Sequence, residues 1–263
     1  VGLLLAKLDT LGLTTNTIGI FTSDNGGFHV PEGPHSRITD SSPFRAGKGF
    51  LYEGGLRAPL IVSWPGRVPA RVVDAPVINT DWFPTLMELI GPPAPQNVDG
   101  RSFAALLTGA SAEERTLFWP FPHYTNQGGR LGGAGLQGRW KIIEHYDIAP
   151  AELYPELYHL AAHPGEATNV AASEPERTAS LCQLLARWIA GVDARTGQRP
   201  ASRFSTAVVQ TNIRRHRCFS LPAHESKCCD ARANTRGALR KKSLPSAFGV
   251  LQLQIAAGIF PCR

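Results

Sequence analysis

Apolar residues change their spacing several times along this chain, and each change predicts an element. Leu4, Leu8 and Leu11 fall on one helical face, and Gly12 closes the run. Thr17-Ile18-Gly19-Ile20-Phe21-Thr22 is short, apolar and rich in β-branched residues, and it ends in polar residues and two glycines. That pattern predicts a buried parallel strand opening into a loop. Leu60-Ile61-Val62-Ser63-Trp64 predicts another buried strand, stopped by Pro65-Gly66. Further strands are expected near 116–121, 138–146 and 156–160, with Gly128 to Gly138 as a flexible hairpin region. A closing helix carries several signs. Ser173 and Glu176 make an S-x-x-E capping box, Leu181, Leu184, Leu185, Trp188 and Ile189 repeat at helical spacing, and Gly191 stops the run.

These elements divide the chain into an α/β region over 1–110, a small α+β region over 111–200, and an extension over 201–263. Pro92-Pro93-Ala94-Pro95 is a rigid connector inside the first. A composition of 43% apolar and 18% charged residues suits a globular protein that buries a sizeable core. No apolar run reaches membrane-spanning length, since Leu3-Leu4-Leu5 is soon followed by Lys7 and Asp9. The net charge of +6 belongs to the tail: residues 201–263 carry +9 and residues 1–200 carry −3. Arg214-Arg215-His216-Arg217 and Arg240-Lys241-Lys242 would suit an acidic surface or nucleic acid. His216, Cys218, His224 and Cys228 would make a metal knuckle, at a spacing unlike the common paired ones. The reading favoured over both is a disordered, dispensable extension that takes no part in the site, with nucleic acid not expected as a partner.

Candidate chemistry gathers in two glycine-rich blocks. In Ser23-Asp24-Asn25-Gly26-Gly27, Asp24 offers a carboxylate and Asn25 an amide carbonyl, hard oxygen donors of the kind Ca²⁺ or Mg²⁺ prefers. Two ligands are fewer than the six to eight or so that Ca²⁺ takes, and the same residues also favour a plain turn. In the second block, glycines at 47, 49, 54 and 55 allow close backbone approach, so Lys48 can be aimed as a compact positive charge at an anion. Glu53 and Arg57 are expected to orient that loop by pairing.

At these residues the chain resembles a known family. SDNGG followed by P-x-R-A-G-K-G-x-x-x-E-G-G-x-R-x-P-x-I-x-x-W-P-G is similar to the formylglycine-dependent sulfatases, in particular arylsulfatase-like and N-acetylgalactosamine-6-sulfatase-like members. The resemblance continues through Asn79-Thr80-Asp81-Trp82-Phe83-Pro84-Thr85-Leu86, through Asp99-Gly100-Arg101-Ser102-Phe103 with Leu106-Leu107-Thr108-Gly109, and through residues 118–129, 138–141 and 156–160. It covers residues 1 to about 198.

The resemblance implies an α/β fold, the C-terminal part of an alkaline-phosphatase-like core with a small α+β subdomain. It implies hydrolysis of sulfate monoesters, aryl or carbohydrate. One Ca²⁺ would be held by Asp24 and Asn25 together with ligands from outside this chain, and Lys48 and His123 would contact substrate. His123 reads equally well as a structural histidine. His29 and His35 read as solvated loop residues, and Arg45 as either structural or anion-binding. Sulfatases take their nucleophile from a Cys or Ser in a C/S-x-P/A-x-R context, converted to formylglycine. That segment is read as missing, and none of the five cysteines lies in such a context, so no catalytic residue is assigned and the chain alone is expected to be inactive. The resemblance suggests a periplasmic, secreted or lysosomal protein. A metal-dependent phosphatase or phosphonate hydrolase of the same superfamily, or a non-catalytic remnant with a basic binding tail, are the alternatives.

Overall fold

The computed structural model describes residues 1–30, 39–93, 96–147 and 155–194, together with the backbone of residues 250–256. Two four-stranded sheets organise them. The first has the order β1-β2-β8-β3, from β1 (Gly19–Thr22), β2 (Arg57–Ser63), β3 (Arg71–Ile78) and β8 (Val250–Ala256). The second is a meander of β4 (Thr116–Phe121), β5 (Gly132–Gln137), β6 (Trp140–His145) and β7 (Glu156–His159), antiparallel throughout.

In the first sheet β2 alternates as its sequence requires, burying Ala58, Leu60 and Val62. Leu60 and Val62 pack with Val73 and Val77 of β3 and with Phe103, Leu106 and Leu107, the last two on the short helix α4 (Ala104–Thr108). The helix that follows β3, α3 (Trp82–Ile90), is tied down by one carboxylate. Asp81 is fully buried and accepts hydrogen bonds from the Ile78 amide (2.9 Å), the Arg101 amide (2.9 Å) and Arg115 Nη1 (2.9 Å). Thr85 adds a second tie, donating to the Asp81 carbonyl and accepting from the Phe103 amide. A buried carboxylate persists only with such partners, which explains why the Asn79–Leu86 and Asp99–Phe103 sequence blocks occur together.

The second sheet has two covered faces. Leu117, Trp119, Phe121, Leu136, Ile143 and Tyr158 form one core with Leu51 and Leu56 from the glycine-rich block. Ile142 and Leu157 form another with Leu181, Cys182, Leu185 and Ile189 of α5 (Pro175–Gly191), where Trp188 stacks on Phe118 at 5.2 Å.

Four expectations are corrected. β1 is an edge strand paired antiparallel to β2, and Ile20 and Phe21 are 38% and 51% exposed, so it is neither parallel nor buried. No described element covers it, and α1 (Gly2–Thr10) buries none of its residues. The Gly128–Gly138 stretch is no flexible hairpin, because Gly132–Gln137 is an inner strand. Its glycines give room to neighbours: a Cβ on Gly133 would overlap the Tyr146 hydroxyl, and one on Gly135 would press on Phe118 and Ile142. The capping box at Ser173 does not form, since its hydroxyl donates to the Val170 carbonyl and α5 starts instead at Pro175. Finally, the tail is not wholly outside the fold. β8 pairs antiparallel with β2 over Arg57–Ser63 and parallel with β3, and Leu251, Leu253 and Ile255 alternate with Gln252 and Gln254 as a strand requires. The proposed knuckle and both basic runs lie outside the described residues.

Because β8 lies between β2 and β3, removing it leaves facing ladder edges unpaired. Truncation after residue 249 is expected to lower the thermal unfolding midpoint. An unchanged midpoint would restore the reading of the tail as dispensable.

Candidate active site

The two glycine-rich blocks interlock through their backbones. The Gly26 amide donates to the Gly55 carbonyl (2.9 Å), the Lys48 amide to the Gly27 carbonyl (2.9 Å), and the Gly54 amide to the Arg45 carbonyl (2.9 Å). These approaches leave no space for side chains. A Cβ on Gly26 would overlap the Gly54 carbonyl, one on Gly54 the carbonyls of Arg45 and Ala46, and one on Gly47 the Gly27 carbonyl. Ala46 (φ 57°) and Gly49 (φ 88°) turn left-handed on either side of Lys48, and the chain then enters the single-turn helix α2 (Glu53–Leu56).

This geometry brings Asp24, Asn25 and Lys48 onto one loop assembly. Asp24 is exposed, while Asn25 and Lys48 are half-buried. The Lys48 ammonium lies 5.1 Å from the centre of the Phe28 ring. Asp24 and Asn25 fit a hard cation by donor chemistry but not by number, because among the described residues no group of three or more Asp, Glu, His or Cys could hold a metal. His123 stands apart from the three on a neighbouring turn, exposed, with its ring 4.6 Å from that of Phe121. That turn does reach the loop. The Thr125 hydroxyl donates to the Gly49 carbonyl (3.3 Å) and accepts from the Gly129 amide (3.0 Å). His29 meets Phe50 edge-on at 5.9 Å, and His35 lies outside the described residues.

Arg45 takes the structural of its two roles. Its Nη1 donates to the Tyr158 hydroxyl (2.9 Å) and the Glu166 carbonyl (3.2 Å), and its guanidinium lies 3.8 Å from the Tyr52 ring centre. Glu156, 3.8 Å from Arg45, also accepts from the Tyr52 and Tyr158 hydroxyls and lies 3.1 Å from His145 Nε2. Burial works to raise the Glu156 carboxyl, but hydrogen bonds from His145, Tyr158 and Tyr52 and the charge of His145 outweigh it and hold the group at about 2. Sequence spacing does not bring these residues together, since members of the cluster lie up to 121 residues apart.

The expectation that the S-x-P-x-R spacing is missing is also corrected. It occurs at Ser41–Arg45, Ser63–Arg67 and Ser173–Arg177. The first two serve turns, and the third opens α5. The Ser42 hydroxyl and amide both bond Asp40 while the Ser41 carbonyl accepts from the Phe44 amide. Arg67 folds back over Trp64 at 4.6 Å, and Arg177 pairs with Glu174 at 3.6 Å. None of the three supplies a catalytic assignment.

The profile of the family described as N-sulphoglucosamine sulphohydrolase, C-terminal, matches residues 46–191, more than half of the chain. The chain belongs to the sulfatase family. It is 34% identical over 205 residues to the N-acetylgalactosamine-6-O-sulfatase of Bacteroides thetaiotaomicron, a match covering 70% of this chain and 39% of that protein. It is likewise 34% identical to human arylsulfatase A over 207 residues, covering 70% and 40%. A solved Bacteroides thetaiotaomicron protein of glycosaminoglycan metabolism shares the fold at a TM-score of 0.55 and 31% identity, covering 71% of this chain and 41% of that one. This sulfatase chain thus spans well under half the length of the relatives it matches.

The Glu156 cluster carries a pH dependence. Its folded-state carboxyl is depressed below the ordinary value of 4.5 to about 2, so its contribution to stability is complete above about 4.5 and is lost as pH falls toward 2. Urea midpoints measured between pH 5 and 2 should fall more steeply for the wild type than for Glu156→Gln, and parallel curves would contradict the assignment.

Proposed function

We propose that this chain forms the C-terminal portion of a sulfatase that hydrolyses sulfate monoesters of carbohydrates, with one Ca²⁺ and a sulfate group meeting at the interlocked loops. The observation that supports the reading is the backbone lock between residues 24–27 and 45–55, which joins the segment bearing Asp24 and Asn25 to the segment bearing Lys48. In this reading Asp24 and Asn25 would hold the cation through two oxygens, and the charge it supplies when bound would offset that of the sulfate oxygens. Lys48 binds the same anion as a point charge and stabilises the negative charge that grows on the leaving side. His123, two residues before the Thr125–Gly129 turn and with its ring 4.6 Å from that of Phe121, contributes on the substrate side. The nucleophile and the remaining cation ligands come from polypeptide other than this chain.

Carbohydrate sulfates are supported by some of the relatives, while arylsulfatase A matches at the same 34% identity and keeps aryl sulfates as the second substrate class. One relative is named an N-acetylgalactosamine-6-O-sulfatase, and a protein sharing the fold was solved with its substrate D-glucosamine-2-N,6-O-disulfate.

The reading predicts that the purified chain alone releases no sulfate from aryl or carbohydrate esters above a metal-free control. In a longer enzyme that contains it, Asp24→Ala should lower both Ca²⁺ content and turnover. Lys48→Ala should leave the metal bound and cost turnover by about 10²–10³-fold, the range for losing one preorganised charge-stabilising group. Full metal content in Asp24→Ala would remove it as a ligand, and unchanged turnover in Lys48→Ala would remove the anion contact.

A further inference from the structure

Lys141 is the second residue of β6, where its neighbours on the same face of the sheet are core residues such as Ile143 and Leu136, and its side chain is wholly buried. A lysine is among the least tolerated residues at such a position unless it is paired. Its ammonium lies 2.9 Å from Glu53 Oε1 and 2.8 Å from Glu166 Oε1. Burial works to lower the ammonium, but the two carboxylates outweigh it and keep it charged. Arg57, 3.7 Å from the other oxygen of Glu53, brings a second positive charge to the group. The expected Glu53–Arg57 pair is therefore the outer part of a larger cluster.

Glu166 is the unusual member. It is fully buried, and its backbone is left-handed (φ 50°) although it is not glycine, a conformation that persists only where its surroundings enforce it. From that position it grips the lysine-bearing loop at both ends. Its carbonyl accepts from Arg45 Nη1 (3.2 Å) where the loop begins, and its Oε2 accepts from the Glu53 amide (2.6 Å) where the loop ends. Between those two points the chain turns left-handed at Ala46 and Gly49, and Ala46, unlike a glycine, gains nothing from that conformation. Besides its own Gly54–Arg45 backbone bond, the loop thus has anchors outside itself.

We propose that Glu166, held by Lys141, is the positioning residue that fixes the Arg45–Glu53 loop and so aims Lys48. Neither residue reaches the reacting atoms. Their part is to tie the loop that bears Lys48 to β6 of the second sheet, where Lys141 stands. The inference rests on the reading of Lys48 as the anion contact for its meaning, but the clamp itself is testable without it.

The test uses the ¹⁵N-labelled full chain and two variants. Glu166→Gln keeps the shape and removes the charge, while Glu166→Gly keeps the left-handed backbone and its carbonyl and removes the carboxyl group. Amide hydrogen exchange is read at Lys48 and Gly54, whose amides bond Gly27 and Arg45, with Leu185 in α5 as the internal reference. Both variants should exchange at least about tenfold faster at Lys48 and Gly54 and within about twofold of wild type at Leu185, the pattern of a local opening. In the same samples, inorganic sulfate should shift the Gly47–Gly49 amides of the wild type, and the variants should need about tenfold more sulfate for the same shift.

Unchanged exchange at Lys48 and Gly54 overturns the clamp. So does acceleration spread equally over the loop and α5, or global unfolding of both variants, since either makes the cluster a general stabiliser. Localised acceleration with no sulfate response in the wild type upholds the clamp and removes the anion reading of Lys48. A wild-type sulfate response retained in full by variants with unchanged exchange does the reverse.

Discussion

A Cβ on Gly26 would occupy the position of the Gly54 carbonyl oxygen, and from this single exclusion most of the site follows. Two backbones that approach so closely can be joined only by their own amides and carbonyls, as the Gly26–Gly55 and Lys48–Gly27 hydrogen bonds are. Once they are joined, Asp24, Asn25 and Lys48 have no independent freedom of place. Their relative position is fixed by main chain, which deforms less readily than a side-chain rotamer. The glycines are thus part of the chemistry even though they bear no functional group.

The second sheet holds that assembly from beneath. Leu51 and Leu56 insert from the loop and α2 into the apolar face of the sheet, while Arg45, Tyr52 and Glu53 meet Tyr158, Glu156, Glu166 and Lys141 through polar contacts at its edge and centre. Apolar burial supplies most of the attachment energy but little direction. Hydrogen bonds and ion pairs supply direction, and where they are buried, losing one partner is costly for the other. The division explains why a site of few residues needs a subdomain of some eighty behind it, a size at which one small core begins to be self-sufficient.

Much of this was readable in the sequence, for physical reasons that differ from place to place. β2, β4 and α5 announce themselves because they bury one face and follow the period of their element. The two loop blocks could be read because close approach admits only glycine. β5 was missed because the same residue sends the opposite signal: Gly132, Gly133 and Gly135 look like a turn until Tyr146, Phe118 and Ile142 are seen filling the space they leave. β1 was misjudged because an apolar run does not say whether anything covers it. Lys141 and Glu156 fall in blocks that carry the family resemblance, but nothing in the sequence marks them, or Glu166, as buried and paired. A charged residue in a strand or turn reads as solvent-facing, and only the three-dimensional pairing reveals that it is buried. The S-x-P-x-R spacing failed in the other direction, recurring three times in ordinary turns and a helix start.

The account stands on the backbone lock between the two glycine blocks, and Gly26→Ala addresses it without touching any charged residue. The measurement is the ¹H–¹⁵N spectrum of that variant in the full chain, compared with wild type. The lock predicts large shifts or loss of the Gly55, Lys48 and Gly54 amide signals, with those of β4–β7 and α5 unmoved. A variant whose Lys48 and Gly54 amides keep their wild-type positions would contradict it, because the two blocks would then not depend on each other for their shape.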